Sequence, residues 1–202
     1  MRFTALVARN VRRFGTHELE VKKLERLLDT TEATVKWVSY VGALLLIPLI
    51  LSMVVEVVAR YVFDAPTLWA YEMAYFLTGS FFLLGIGYTL QIGGHVKVDL
   101  MTDLLPDRVN LVIYIVGYVF AGIFVIWSFW GLTESFLETY RTGETTGESA
   151  WNPVLWPFRA VAAFGFFVFA VQILVELYRN VSRLIRGEAF ERKEGLMSEG
   201  GE

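Results

Sequence analysis

The sequence predicts an all-α membrane protein: four transmembrane helices preceded by an N-terminal amphipathic helix at the membrane interface. Three observations carry this. Hydrophobic residues make up 55% of the 202 residues, and the mean hydropathy is +0.49, too apolar for a large soluble domain. Four apolar runs each reach the roughly 20 residues that a helix needs to cross a bilayer core. Ionisable residues gather at the borders of those runs, where lipid does not penalise them. Helices are expected because an open sheet edge leaves unpaired backbone groups in lipid. The runs also lack the alternation of a membrane barrel.

Residues 1–36 are expected to form a cytoplasmic segment. It carries scattered charges and no apolar core of a cleaved signal, so the first apolar run reads as a retained anchor. Leu19, Leu24, Leu27 and Leu28 recur near helical spacing among Glu and Lys. This reads as a helix lying on the inner membrane surface, with a solvated charged helix as the alternative. Asp29 followed by Glu32 reads as a local cap that starts a new helix after a break. A four-helix transmembrane bundle then covers 37–177, with spans Trp37–Ala59, Tyr71–Ile92, Val109–Thr133 and Val154–Leu177. Pro48 lacks a backbone donor and kinks the first span. Residues 178–202 are expected to form a cytoplasmic, partly disordered tail, since the chain is polar and Gly-rich from about Glu188.

Orientation follows from Lys and Arg. The N-terminal segment holds Arg2, Arg9, Arg12, Arg13, Lys22, Lys23, Arg26 and Lys36, and the tail holds Arg179, Arg183, Arg186, Arg192 and Lys193. The middle loop has Lys97 and Arg108, whereas only Arg60 and Arg141 mark the other two. Both termini and the middle loop are thus expected in the cytoplasm. Trp37, Tyr40, Trp127, Trp130, Trp151 and Trp156 fall at the run borders, where amphipathic rings are favoured.

Chemistry-bearing groups are few. Glu56 and Arg60 are four apart on one helix face near the outer end of the first span. Glu72 opens the second span, so the three are expected to meet as an ion-pair cluster that fixes the first hairpin or meets a partner. Simple snorkelling is the alternative. Glu134, Glu138, Glu144 and Glu148 surround Arg141 in the outer loop before the fourth span. Such a loop is either ordinary solvated chain or a docking patch for a soluble partner. Gly117 and Ala121 form a small-xxx-small pair that permits close helix packing.

The exclusions are firmer. Cysteine is absent, which removes disulfides and thiolate metal sites. His17 and His95 lie outside the spans, so neither a bis-histidine haem nor a histidine metal site is expected, and a redox-enzyme anchor is disfavoured. No nucleophile–base arrangement, nucleotide fingerprint or nucleic-acid-binding surface is present. No catalytic site and no cofactor are expected.

Glu56, Arg60-Tyr61-Val62-Phe63, Trp69, Glu72, Gly85, Gly93, His95-Val96 and Asp99 resemble, in order and spacing, the small DctQ-like membrane subunit of tripartite ATP-independent periplasmic (TRAP) transporters. The segment Gly143 to Arg159 is similar to one branch of that family. The resemblance leaves out residues 1–36 and the tail. It implies a bacterial inner-membrane, multi-pass subunit with both termini cytoplasmic, and two protein partners. One is a large membrane subunit, which holds the substrate and sodium sites and moves like an elevator. The other is a periplasmic solute-binding protein. The small subunit then braces the large one and helps dock the binding protein during sodium-coupled uptake of a small organic acid or compatible solute. Glu56, Arg60, Trp69, Glu72, His95 and Asp99 become structural or subunit-interface candidates. Glu138, Arg141, Glu144 and Glu148 become docking candidates. The competing reading is a self-sufficient four-helix proton-coupled transporter. It needs a carboxylate deep in the bundle, and Gln172 and Glu176 only approach the inner end of the fourth span.

Overall fold

A computed structural model describes residue 23 and residues 25–93 and 106–187. The chain divides into two units, Met1–Thr34 and Val35–Glu202. In the first, residues 25–34 are helical without interruption, so the fresh helix start expected at Asp29 and Glu32 is not formed. The hydroxyls of Thr30, Thr31 and Thr34 instead donate back to the carbonyls of Arg26, Leu27 and Thr30 at 2.7, 2.8 and 2.8 Å. That back-bonding satisfies side chains that would otherwise compete with the helix. Leu19 and Leu24 of the expected amphipathic stripe lie outside the described residues.

The second unit opens with α1 (35–44), followed by α2 (Leu46–Val62), α3 (Ala70–Gln91), α4 (Asp107–Thr142) and α5 (Trp156–Arg186). Four helical stretches are long and apolar enough to cross a membrane: Glu25–Val62, Ala70–Gln91, Asp107–Thr142 and Trp156–Arg186. The bend expected from Pro48 falls at Leu45, a turn residue between α1 and α2. Proline cannot donate to the carbonyl four residues back, and its ring crowds it. The Leu45 amide accordingly turns to the Gly42 carbonyl, three residues back, at 2.9 Å.

Two helices outrun the expected spans. At 1.5 Å per residue, the 36 residues of α4 reach about 54 Å, well beyond a hydrocarbon core of about 30 Å. Apolarity fades at Thr133, but the backbone goes on satisfying itself until Gly143, at φ +66°, accepts the left-handed turn that ends the helix. Gly187, at φ +68°, ends α5 the same way.

The helices pack in a row. α2 lies against α3, α3 against α5, and α5 against α4, and no other pair of these helices meets extensively among the described residues. The bundle expected from the sequence is therefore open, with α2 and α4 at its edges. Val35 and Gly42 of α1 also approach α3, at Gly87 and Leu84. The core sits where α3, α4 and α5 meet, with Leu90, Val125, Ala170 and Ile173 buried beneath Tyr118, Ala121, Phe166 and Phe169. The α3–α5 seam depends on the missing side chain of Gly165, because a Cβ there would lie 2.7 Å from the backbone oxygen of Leu83. In lipid, such close backbone approach replaces the hydrophobic drive that water would supply. Gly117, by contrast, has nothing within 4 Å of where its Cβ would be, so the Gly117–Ala121 pair does not make the seam.

Candidate functional site

The polar groups cluster at the end of the row that carries the α2–α3 loop and the α4–α5 connection. In the first of these loops, Glu56 of α2 is bridged by Arg60 one turn later, with Arg60 Nε donating to Glu56 Oε1 at 2.9 Å. The second carboxylate oxygen accepts the Thr67 amide at 2.9 Å and the Thr67 hydroxyl. One carboxylate thus neutralises its helical neighbour and also closes the loop of residues 63–69. Trp69 follows as the half-exposed residue at the α3 N-terminus, its carbonyl accepting the Met73 amide at 3.0 Å.

Glu72 does not join that pair. It is 1% exposed, and its Oε1 accepts the hydroxyl of Thr146, 74 residues further on, at 2.9 Å. Its Oε2 has no hydrogen-bond partner. The first turn of α3 favours a carboxylate there, because the amide dipoles of the helix point their positive ends at it. The expected three-way cluster therefore splits. Glu56 and Arg60 serve the first loop, and Glu72 serves the second.

That second loop is a hairpin. Thr145 and Val154 form an antiparallel bridge, the Thr146 amide donates to Pro153 O and the Leu155 amide to Glu144 O, both at 3.0 Å. Gly147 (φ +66°) and Asn152 (φ +45°) turn the chain, and the Gly147 amide donates to Asn152 Oδ1 at 2.7 Å. Ser149 Oγ accepts the amides of Trp151 and Asn152 at 3.1 and 3.3 Å. These bonds shape the loop locally before any partner is present.

Arg159, in the first turns of α5, anchors the hairpin. Its Nη1 donates to the Thr139 hydroxyl and, at 3.4 Å, to the Ser135 carbonyl of α4. The same nitrogen lies 3.1 Å from Glu144 Oε2, while Nη2 reaches Glu144 Oε1 at 3.4 Å. Thr139 is fully buried. Sequence reasoning had not singled out Arg159. Its signal was the placement of a cation at a helix N-terminus, where the dipole disfavours it unless other contacts repay the cost.

Of the four docking candidates, Glu144 is therefore committed within the chain. Glu138, Arg141 and Glu148 are exposed on the same end. His95 and Asp99 lie outside the described residues.

Towards the opposite end of α5, Gln172, Glu176 and Asn180 form a buried ladder one turn apart. Gln172 Nε2 donates to Glu176 Oε1 at 3.2 Å, and Asn180 Nδ2 to the Glu176 carbonyl at 2.8 Å. Among the described residues, no group of three His, Cys, Asp or Glu is placed to hold a metal ion. The arrangement links loops to helices; it assembles no nucleophile, base and oxyanion donor at one point.

Comparison with known families agrees with a transport assembly. Residues 49–183 match the family described as tripartite ATP-independent periplasmic transporters, DctQ component. A stretch of 71 residues is 28% identical to the sialic acid TRAP transporter permease protein SiaT of Haemophilus influenzae (strain 86-028NP), covering 35% of this chain and 12% of that protein.

Proposed function

Because the chain belongs to the DctQ-component family of TRAP transporters, a family of transporter subunits and not of enzymes, we propose that this multi-pass protein braces a large elevator-type membrane subunit. On this reading both termini face the cytoplasm of a bacterial inner membrane, and the α4–α5 hairpin faces the periplasm. There it receives a solute-binding protein during sodium-coupled uptake of a small organic acid or compatible solute. The sialic acid in the name of the similar permease is itself an organic acid.

The observation that carries the brace is how the charges at the hairpin end are used. Glu56, Arg60, Glu144 and Arg159 are spent on tying loops to helix ends. A carrier needs ionisable groups along a path through the membrane; a brace needs helices that keep their spacing while a neighbour moves. Glu138, Arg141 and Glu148 are exposed beside the hairpin and would be the contact points for a soluble partner. Electrostatic complementarity at such a rim sets encounter rate and register.

Affinity purification of the tagged full chain from its native membrane tests the reading. The expected result is co-elution of a much larger polytopic subunit. Solute transport by the chain alone in liposomes would sink it and restore the self-sufficient proton-coupled transporter. In that case Glu176, the buried carboxylate of α5, is the residue to replace by Gln.

A further inference from the structure

The two edges of the row differ in where their apolar faces end. The 22 residues of α3 reach about 33 Å, only just enough to cross a core of about 30 Å, so the middle of α3 lies near the bilayer centre. Beside its hairpin-side half runs the α1–α2 edge, because Gly42 meets Leu84 and Glu56 accepts the Thr67 amide just before α3 begins. Between those two points Ile47, Ile50 and Val54 are exposed, a face suited to lipid. The α4 edge is levelled through α5. Arg159 bonds Thr139 and the Ser135 carbonyl of α4, while a Cβ on Gly79 of α3 would meet the ring of the neighbouring Phe158 at 2.6 Å. Towards the other end, Val125 of α4 and Leu90 of α3 share the core. Residues 125–139 of α4 thus run level with residues 79–90 of α3. Within that stretch the outward face of α4 changes character. Phe120, Ile123, Trp127, Trp130 and Glu134 recur every three or four positions on one face, and all are exposed. An exposed carboxylate therefore stands at the depth of the middle of α3.

We infer that the large membrane subunit packs on the outward face of α4, with a cationic or hydrogen-donating side chain of that subunit opposite Glu134. The inference rests on the brace reading and adds the contact surface to it. A carboxylate at this depth is costly in lipid and calls for a partner. Arg159, at the same level, finds its partner within the chain, in Glu144. Among the described residues Glu134 makes no ion pair, so its partner comes from outside. For water to serve instead, the lipid border would have to fall about 20 Å below the start of α3. It would do so across two helix spacings of about 8–10 Å each, and bilayer deformation costs more with every ångström of mismatch. A protein partner needs no such slope. Phe120, Trp127 and Trp130 offer it large apolar area next to the charge. Glu138, one turn nearer the hairpin, marks where this contact gives way to the rim offered to a soluble partner.

Cysteine is absent from the chain, so Glu134→Cys and Ile50→Cys each carry a single thiol. Each full-length variant, tagged and in its native membrane, is coupled to benzophenone maleimide and irradiated. Glu134→Cys is expected to be captured by a much larger polytopic subunit, and Ile50→Cys by lipid. Glu134→Lys, which sets two cations face to face, is expected to lower co-elution of the large subunit about tenfold, and Glu134→Gln, which keeps an acceptor, by less. Capture of the subunit from Ile50→Cys as strong as from Glu134→Cys places the partner on α2 and overturns the inference. So does capture of lipid alone at residue 134, or undiminished co-elution of Glu134→Lys. Reaction of Glu134→Cys in the assembly with a membrane-impermeant maleimide as fast as that of Glu148→Cys overturns it as well, since water then covers the face. Co-elution with the wild-type chain separates the two readings. If it holds while these results fail, the brace stands without this surface; if it fails, both fall.

Discussion

Replacing Arg159 by Met removes the guanidinium and keeps much of the side-chain volume. Three contacts are lost, to Glu144, to Thr139 and, at a long and weak 3.4 Å, to the Ser135 carbonyl, and they differ in worth. The ion pair with Glu144 is half in solvent, with the Arg159 and Glu144 side chains 27% and 47% exposed, and pairs of that kind contribute about 0–1 kcal/mol. The hydrogen bond to fully buried Thr139 is charge-assisted and falls in the class of about 1.5–3 kcal/mol. Thr139 keeps its own bond to the Ser135 carbonyl at 2.8 Å, so no buried hydroxyl is orphaned. Removing a cation from the start of a helix returns about 0.3–1 kcal/mol. The net loss is about 2 kcal/mol, which corresponds to roughly thirty-fold faster opening of the hairpin. Hydrogen exchange of the Thr146 and Leu155 amides, both bonded across the hairpin, reads it directly. Glu144→Gln is the control, because it loses the weak ion pair and at most the long 3.3 Å contact from the Thr139 hydroxyl, which keeps its bond to Ser135, and is expected to change exchange by less than about five-fold. If Glu144→Gln loosens the hairpin as much as Arg159→Met, the anchor is the exposed pair and not Thr139, and the reasoning fails.

Gly165→Ala places a methyl group 2.7 Å from the Leu83 backbone oxygen. The α3–α5 seam must spread, at a cost of about 1–3 kcal/mol in unfolding measured in detergent. Gly117→Ala meets nothing within 4 Å and is expected to be neutral or to stabilise by up to about 1 kcal/mol through helix propensity; a loss at Gly117 matching that at Gly165 would contradict the assigned seam. Glu56→Ala removes the carboxylate oxygen that accepts both the amide and the hydroxyl of Thr67, whereas Glu56→Gln keeps one amide oxygen able to accept. Exchange at the Thr67 amide is expected to rise in the order wild type, Gln, Ala, and an unchanged rate in the alanine variant would show that Glu56 does not close the loop.

The spans were legible because crossing lipid demands length and apolarity, and both are written locally in the chain. Their ends were less so. Residues 134–142 are polar enough to suggest a loop, yet a helix satisfies its own backbone outside lipid as well as inside it, and only Gly143 stops it. The row arrangement was not legible, for a reason peculiar to membranes. A face turned to lipid and a face turned to a neighbouring helix are equally apolar, so hydrophobic patterning loses the contrast that it has in water. The same loss makes glycines ambiguous. Gly117 with Ala121 has the right spacing but Gly117 is unpacked, while Gly165 carries the seam with no comparable signature.

Charge pairs divide by sequence distance. Glu56 and Arg60 are one helical turn apart, so their bond could be read directly. Glu144 looked like a free acid among other acids because its counter-ion, Arg159, is 15 residues on and beyond the turn of a hairpin. Glu72 reads in the sequence as a third member of the Glu56–Arg60 cluster, whereas its partner is Thr146, a threonine that announces nothing. The consequence is functional. Two carboxylates in the α2–α3 region hold two different loops, so the α4–α5 hairpin is fastened to α3 through Glu72 and to α4 through Arg159. On the proposed reading, a hairpin fastened to two helices of the row would pass the load of a docked partner into the row as a whole, as a stationary brace beside a moving subunit requires.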